Sequence, residues 1–145
     1  MTDIASIFLT SSLTICGGVL VVVLGQVFIR FFLDPITDLR KLIGEIADNL
    51  VYYGNVYSNP GMAKKDVIDK ARIAFRQNAS VLTSRAHALP LYPLFSILRV
   101  VPRRSHISEA SGNLIGLSNS LVQGDPLINH DRDRQIRKSL GLPAK

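Results

Sequence analysis

Cysteine is almost missing from this chain. Cys16 is the only one among 145 residues, so no intramolecular disulfide can form, in keeping with a reducing compartment for the rest of the chain. The three histidines, His87, His106 and His130, lie on different segments without metal-ligand spacing, which excludes the common zinc patterns. No glycine-rich loop joins a strand to a helix, so there is no nucleotide fingerprint. The close carboxylate pairs Asp34/Asp38, Asp66/Asp69 and Asp131/Asp133 read as helix starts rather than acid–base dyads. Internal repeats and low-complexity tracts are absent, as is two-residue alternation bounded by hairpin turns, so the fold class is all-α. None of these patterns calls for a cofactor or a metal, and no reaction is legible.

The most informative absence is of charge. No charged side chain occurs from Ile4 to Ile29, and the stretch from Ile7 onward is dominated by Leu, Val, Ile and Phe. As a helix that stretch is about 34 Å long, enough to cross a hydrocarbon core of about 30 Å. A cleaved signal peptide needs a basic start, a shorter apolar run and a small-residue exit. Here Asp3 opens the chain, and the apolar run continues into Phe31, Phe32 and Leu33. An uncleaved transmembrane anchor over 1–33 is expected. All 17 Lys and Arg follow residue 29, beginning with Arg30, Arg40 and Lys41. The positive-inside rule then places the amino terminus outside and the bulk of the chain in the cytoplasm, as a single-pass protein of the cell (inner) membrane.

The span carries two rows of small residues. Ser11, Gly18 and Gly25 recur every seven positions, with Thr14 beside them, while Ser6, Thr10, Thr14 and Gly18 recur every four. Such rows let helix backbones approach in lipid, where larger apolar side chains gain little by leaving the acyl chains. A lone span has no other helix in its own chain to pack on, so a homo-oligomer is expected, with Gln26 seeking a partner across helices.

A helical bundle is expected over 34–126. Asp34-Pro35 reads as a break, a cap followed by a first-turn proline that starts a new helix. Ile36, Leu39, Ile43, Ile46, Leu50, Tyr53 and Tyr57 then alternate in steps of three and four, predicting one amphipathic helix to Tyr57 whose stripe joins the self-association surface. Ser58-Asn59-Pro60-Gly61 is a turn. A second helix should run from 63 to 88, burying Val67, Ala71, Ala74, Phe75, Leu82 and Ala86. Leu91 to Val101 is apolar but too short to span, and is either buried or interfacial; burial is expected. A third long helix, with Ile107, Ala110, Leu114, Leu117 and Leu121, should end near Gln123, and Gly112 and Gly116 suggest a close neighbour. The segment 127–145 reads as an amphipathic helix and tail, capped by Asn129 and ended by Gly141, with only Ile128, Ile136 and Leu140 to dock lightly or on a partner. The whole predicts a small up-and-down bundle.

Between Met62 and Arg104 there are nine basic and two acidic residues. Lys64, Lys65, Arg72, Arg76, Arg103 and Arg104, together with Arg30 at the membrane flank, are candidate contacts to lipid headgroups or nucleic-acid phosphates. Few aromatics lie among them, which disfavours single-strand stacking and makes the lipid bilayer the simplest partner.

Arg99 is followed by His106 at the entrance to the third long helix. This spacing resembles the R-x(4-6)-H motif of the HEPN superfamily, which includes many dimeric ribonucleases. With its single span and helical cytoplasmic domain, the chain is also similar to membrane-anchored HEPN-like proteins that accompany type VI CRISPR systems and assemble as ring-like pores. The resemblance covers architecture and two residues. It implies either a pore-like effector or scaffold in an antiviral defence system, with a cytoplasmic protein or RNA-containing partner, or a membrane-tethered nuclease using Arg99 and His106. Read from the residues alone, Arg99 snorkels from an apolar stretch and His106 sits at a helix start. The expectation is therefore a non-enzymatic membrane protein, with the HEPN-type ribonuclease or RNA-binding module as the alternative.

Overall fold

The computed structural model of the protein describes residues 2–143, leaving aside the side chains of Thr2 and Ala5; the expected outer limits at Met1 and Lys145 fall outside the described residues. The helices are α1 (Thr2–Phe28), α2 (Asp34–Tyr52), α3 (Gly54–Ser58), α4 (Lys65–Ala88), α5 (Tyr92–Ile97), α6 (Arg104–Ser120) and α7 (Pro126–Leu140), with a π turn over Ile29–Leu33 between the first two. No strand occurs among the described residues, so the all-α class holds. Two compact units divide the chain, residues 1–34 and 35–145.

The first unit is α1 with the π turn. Its described side chains lie on the surface, none of them buried. Three of its hydroxyls are satisfied locally: Ser6, Thr10 and Thr14 each donate to a backbone carbonyl one turn back, on Asp3, Ser6 and Thr10, at 2.8 Å. That back-bonding removes the need for water and suits a helix surrounded by hydrocarbon. A new helix opens at Asp34-Pro35, as expected, and the two units divide there, but Asp34 does not act as a cap. Asp34 keeps right-handed helical angles, and its N–H donates to the Ile29 carbonyl five residues back. Pro35 has no N–H, and its ring would crowd the carbonyl of residue 31 in an ordinary α turn; the wider π turn just before it relieves both conflicts.

The second unit is a four-helix bundle of α2, α4, α6 and α7. α6 lies at its centre, packed most extensively against α4 and α7. Small residues at the α4–α6 seam, Ala71, Ala79 and Ala86 on one side and Ala110, Ser111 and Ser118 on the other, are all buried. Ser111 Oγ donates to the Ala79 carbonyl across that seam at 3.1 Å. α2 contributes large side chains instead, Leu39, Leu42, Ile46 and Leu50, which reach the shared core. Each such burial is worth roughly 1.5–3 kcal/mol.

The α2 stripe differs from the expected one in two ways. Leu42 is buried while Ile43 is only partly so. α2 also stops at Tyr52: Tyr53 leaves helical geometry at φ −93 and ψ 12, and the short α3 follows. More consequentially, Ile36, Leu39 and Ile46 are committed to the bundle's own core, so in this fold they are not a free surface for a second copy.

The ends of the bundle are distinct. At the Pro35 end lie the start of α2, the end of α4, α5, the start of α6 and the end of α7, tied by Arg40 donating to the Val100 carbonyl and Arg85 to the Asp38 carbonyl. At the far end α3 meets the turn between α6 and α7, where the Gly61 N–H donates to the Leu121 carbonyl at 3.0 Å.

α7 is held more firmly than its few apolar residues suggested. Its cap is Asp125, whose carboxylate accepts from the Leu127 N–H, with Pro126 in the first turn; the expected cap, Asn129, is instead fully buried one turn inside. Gly141 ends the helix in the left-handed conformation, as expected. The buried face of α7 is largely polar. Asn129 donates to the Tyr57 carbonyl and accepts from Ser120, and Asp133 pairs with Arg137 at 3.0 Å. α7 thus belongs to the same compact unit as the bundle. Of the two glycines on α6, Gly116 faces Arg132, while the space beside Gly112 is open.

Candidate functional site

A cleft of about 780 Å³ opens at the Pro35 end of the bundle. Its basic lining is Arg40, Arg99, Arg103, His106 and Lys138, and among the described residues no carboxylate lines it. The structure therefore brings Arg99 and His106, seven positions apart in sequence, to one opening. Among the described residues neither side chain has a hydrogen-bond or ion-pair partner: Arg99 stands exposed on the loop after α5, and His106 is exposed in the first turn of α6. Arg40 is engaged with Val100, which closes one wall.

That loop has unusual backbone geometry. Leu91 and Arg99, on either side of α5, adopt φ of 51° and 56°. This left-handed region costs a residue with a Cβ roughly 1–2 kcal/mol. The turns are fixed by Tyr92, whose buried ring donates its hydroxyl to the Pro102 carbonyl at 2.6 Å. The Arg104 guanidinium lies 5.1 Å from the Tyr92 ring centre, a cation–π contact. Burial raises the Tyr92 phenol above its usual value, and the nearby Arg104 charge partly offsets that.

α5 corrects the expectation for Leu91–Val101. Tyr92 and Val101 are buried, and Phe95 and Val100 are partly so. Leu91, Leu94, Ile97 and Leu98 stay 58%, 49%, 78% and 61% exposed. The segment is too short to bury both faces: once Tyr92 is inside, the residues spaced three and four apart on the other side face out.

The basic residues between Met62 and Arg104 do not form one patch. Lys64 and Lys65 stand at the start of α4, and Arg103 and Arg104 at the opposite end of the bundle, about 36 Å away along a helix of 24 residues. Arg72 pairs with Asp69, and Arg76 donates to Ser118 and Asn119. Of that set, Arg99 and Arg103 line the cleft, while Arg104 lies over the Tyr92 ring. Arg30 lies in the π turn of the first unit.

In the first unit, Ser11 and Thr14 are exposed, and the space beside Gly18 and Gly25 is open. No cluster of three or more His, Cys, Asp or Glu side chains able to hold a metal occurs among the described residues. α1 is long and apolar enough to cross a membrane. Comparison with protein-family models, with curated proteins and with solved structures gives no match for this chain.

The polar face of α7 escaped the sequence reading. Its one available signal was the i, i+4 spacing of Asp133 and Arg137, which reads equally well as a solvated pair.

Proposed function

We propose that the protein crosses the cell membrane once through α1, amino terminus outside and bundle in the cytoplasm, and self-associates through the small-residue face of that span. In this reading it acts as a pore-like effector or a membrane-bound scaffold for a cytoplasmic partner. The observation that carries the proposal is α1 itself: a helix of 27 residues with no buried side chain described and with the Ser6, Thr10 and Thr14 hydroxyls bonded internally. In water so much apolar surface has no soluble rationale, whereas in a bilayer it is the expected face. Ser11, Thr14, Gly18 and Gly25 are the proposed helix contact. The burial of Ile36, Leu39 and Ile46 moves the weight of self-association from the α2 stripe to the span.

The alternative, a membrane-tethered HEPN-type nuclease, draws support from the shared cleft of Arg99 and His106. Membrane depolarisation and RNA cleavage, measured side by side in wild type and His106→Ala, separate the two. We expect depolarisation or partner recruitment to survive His106→Ala. RNA cleavage that falls about 10²–10⁴-fold with loss of the imidazole, with no depolarisation in either protein, would refute the effector reading. Crosslinking in membranes tests assembly, since Gly18→Ile with Gly25→Ile should weaken the oligomer bands. A periplasm-specific reporter fused after Lys145 should stay silent; a strong signal would overturn the orientation.

A further inference from the structure

α5 presents an apolar stripe that the bundle does not cover. Leu94, Ile97 and Leu98 share one helical face, and Leu91 extends it by one turn; all four are among the exposed large hydrophobic residues. From Leu89 to Ser108 the only charged residues are Arg99, Arg103 and Arg104. A short apolar face rimmed by arginines, with no acid within the segment, is the composition of an element that lies in a bilayer interface. Nearby acids exist on other elements: Asp38 is exposed on α2 and Glu109 on α6, where Glu109 accepts a hydrogen bond from Ser139.

Chain connectivity supplies the second argument. α5 sits at the Pro35 end of the bundle, tied to α2 by the Arg40–Val100 hydrogen bonds. Pro35 follows the last residue of the α1 unit directly, so no linker intervenes between the two. A bundle attached to a span at that end cannot carry its Pro35 end far from the leaflet.

We infer that α5 is a monotopic lipid contact. Leu91, Leu94, Ile97 and Leu98 enter the boundary between headgroups and acyl chains, and Arg99, Arg103 and Arg104 meet the phosphates of an anionic phospholipid leaflet. Other occupants fit less well. Four side chains on two turns fall far short of the 20–30 residues a side that a stable protein interface uses. RNA would favour exposed aromatic rings for stacking, yet Tyr92 is buried and Phe95 partly buried. The inference rests on the reading of α1 as a span, and the test separates the two.

The chain contains no tryptophan, so single reporters can be placed in the full-length protein. Ile97→Trp reports α5, Leu13→Trp reports the span, and Leu127→Trp, an exposed position at the far end, is the control. Each protein is reconstituted in vesicles of phosphatidylcholine and phosphatidylglycerol, with lipids brominated either near the top of the acyl chains or deep within them. The expected result is strong loss of Ile97→Trp emission with the shallow bromines, of Leu13→Trp emission with the deep ones, and little change for Leu127→Trp. Replacing phosphatidylglycerol by phosphatidylcholine, or adding Arg99→Glu and Arg103→Glu, should reduce the quenching at Ile97→Trp. Quenching of Leu13→Trp but not of Ile97→Trp overturns the inference and leaves the span intact; quenching of neither overturns both. A blue-shifted but unquenched Ile97→Trp would mean that protein covers the face, also overturning the inference. So would a response to single-stranded RNA in detergent without any response to lipid.

Discussion

Two ion pairs on α7 make a controlled experiment. Asp133 and Arg137 meet at 3.0 Å with side chains only 9% and 8% exposed, whereas Asp131 and Arg134 meet at 3.3 Å with 65% and 79% exposed. Asp131→Ala should cost no more than about 0.5 kcal/mol, because an exposed i, i+3 pair is screened and conformationally loose. Asp133→Ala leaves Arg137 charged, buried and without its carboxylate, a loss expected at about 3–5 kcal/mol. Arg137 already has one guanidinium nitrogen, Nη2, buried without a hydrogen-bond partner, so it has little reserve. Against a typical domain stability of about 5–15 kcal/mol, that loss is large enough to melt α7 from the bundle. The pair itself need not be strongly stabilising: Asp133→Leu with Arg137→Met should recover most of the loss, since an apolar pair avoids desolvating two charges. Urea denaturation of the full-length protein in mild detergent, followed by tyrosine emission, reads this directly. All four tyrosines, Tyr52, Tyr53, Tyr57 and Tyr92, lie in the 35–145 unit, so α1 adds no signal. An Asp133→Ala protein no less stable than Asp131→Ala would refute the buried-pair argument and detach α7 from the core.

Tyr57 makes stability fall in alkali. Burial, with the Asp133 charge adding to it, pushes its phenol from 10.0 up to about 12, so the folded state favours the neutral form. The contribution, roughly 2–3 kcal/mol, is complete below pH 10 and is lost as the pH rises to about 12; Tyr57→Phe should flatten this part of a pH–stability curve, and an unchanged slope would count against it. Arg99→Gly should raise the unfolding midpoint by relieving about 1 kcal/mol of left-handed backbone strain at φ 56°; a lower midpoint would show that the side chain contributes more than the strain costs. Gly61→Ala should do the reverse, because φ is +78° and an added Cβ would sit 2.8 Å from the Val122 carbonyl oxygen; a loss of at least about 1 kcal/mol in the same denaturation assay is expected.

The sequence displayed whatever depends on hydropathy period or on absent charge. α1, the start of α2, the extent of α4 and the core line of Ile107, Ala110, Leu114, Leu117 and Leu121 were visible in that way, although within α4 Val67 and Ala74 are only half-buried and Ile68 and Ala79 join the core instead. Features that depend on polar partners were not. Asn129 looks like a cap in sequence because Asn caps well, yet it is buried beneath Tyr57, where its side chain bridges two turns. The π turn before Asp34 was hidden because nothing local announces one. The outward face of α5 was hidden for a different reason. An apolar run of that length has the same composition whether it is buried or exposed, and only packing tells the two apart. The spacing of Arg99 and His106 was legible, while the further basic members of their cleft, Arg40 and Lys138, come from segments distant in sequence.

The direct junction of the two units at Asp34 and Pro35 has a thermodynamic consequence for assembly. Spans associated in the plane of a bilayer would hold their bundles within a tether of no residues. The effective local concentration of one bundle around another would then be on the order of millimolar or above, the regime of very short linkers. Contacts between bundles too weak to register in dilute solution would be populated in the membrane without any added surface area. Avidity, rather than a large buried interface, would set the cooperativity of such an assembly, and severing the chain at residue 34 would abolish it even with both units correctly folded.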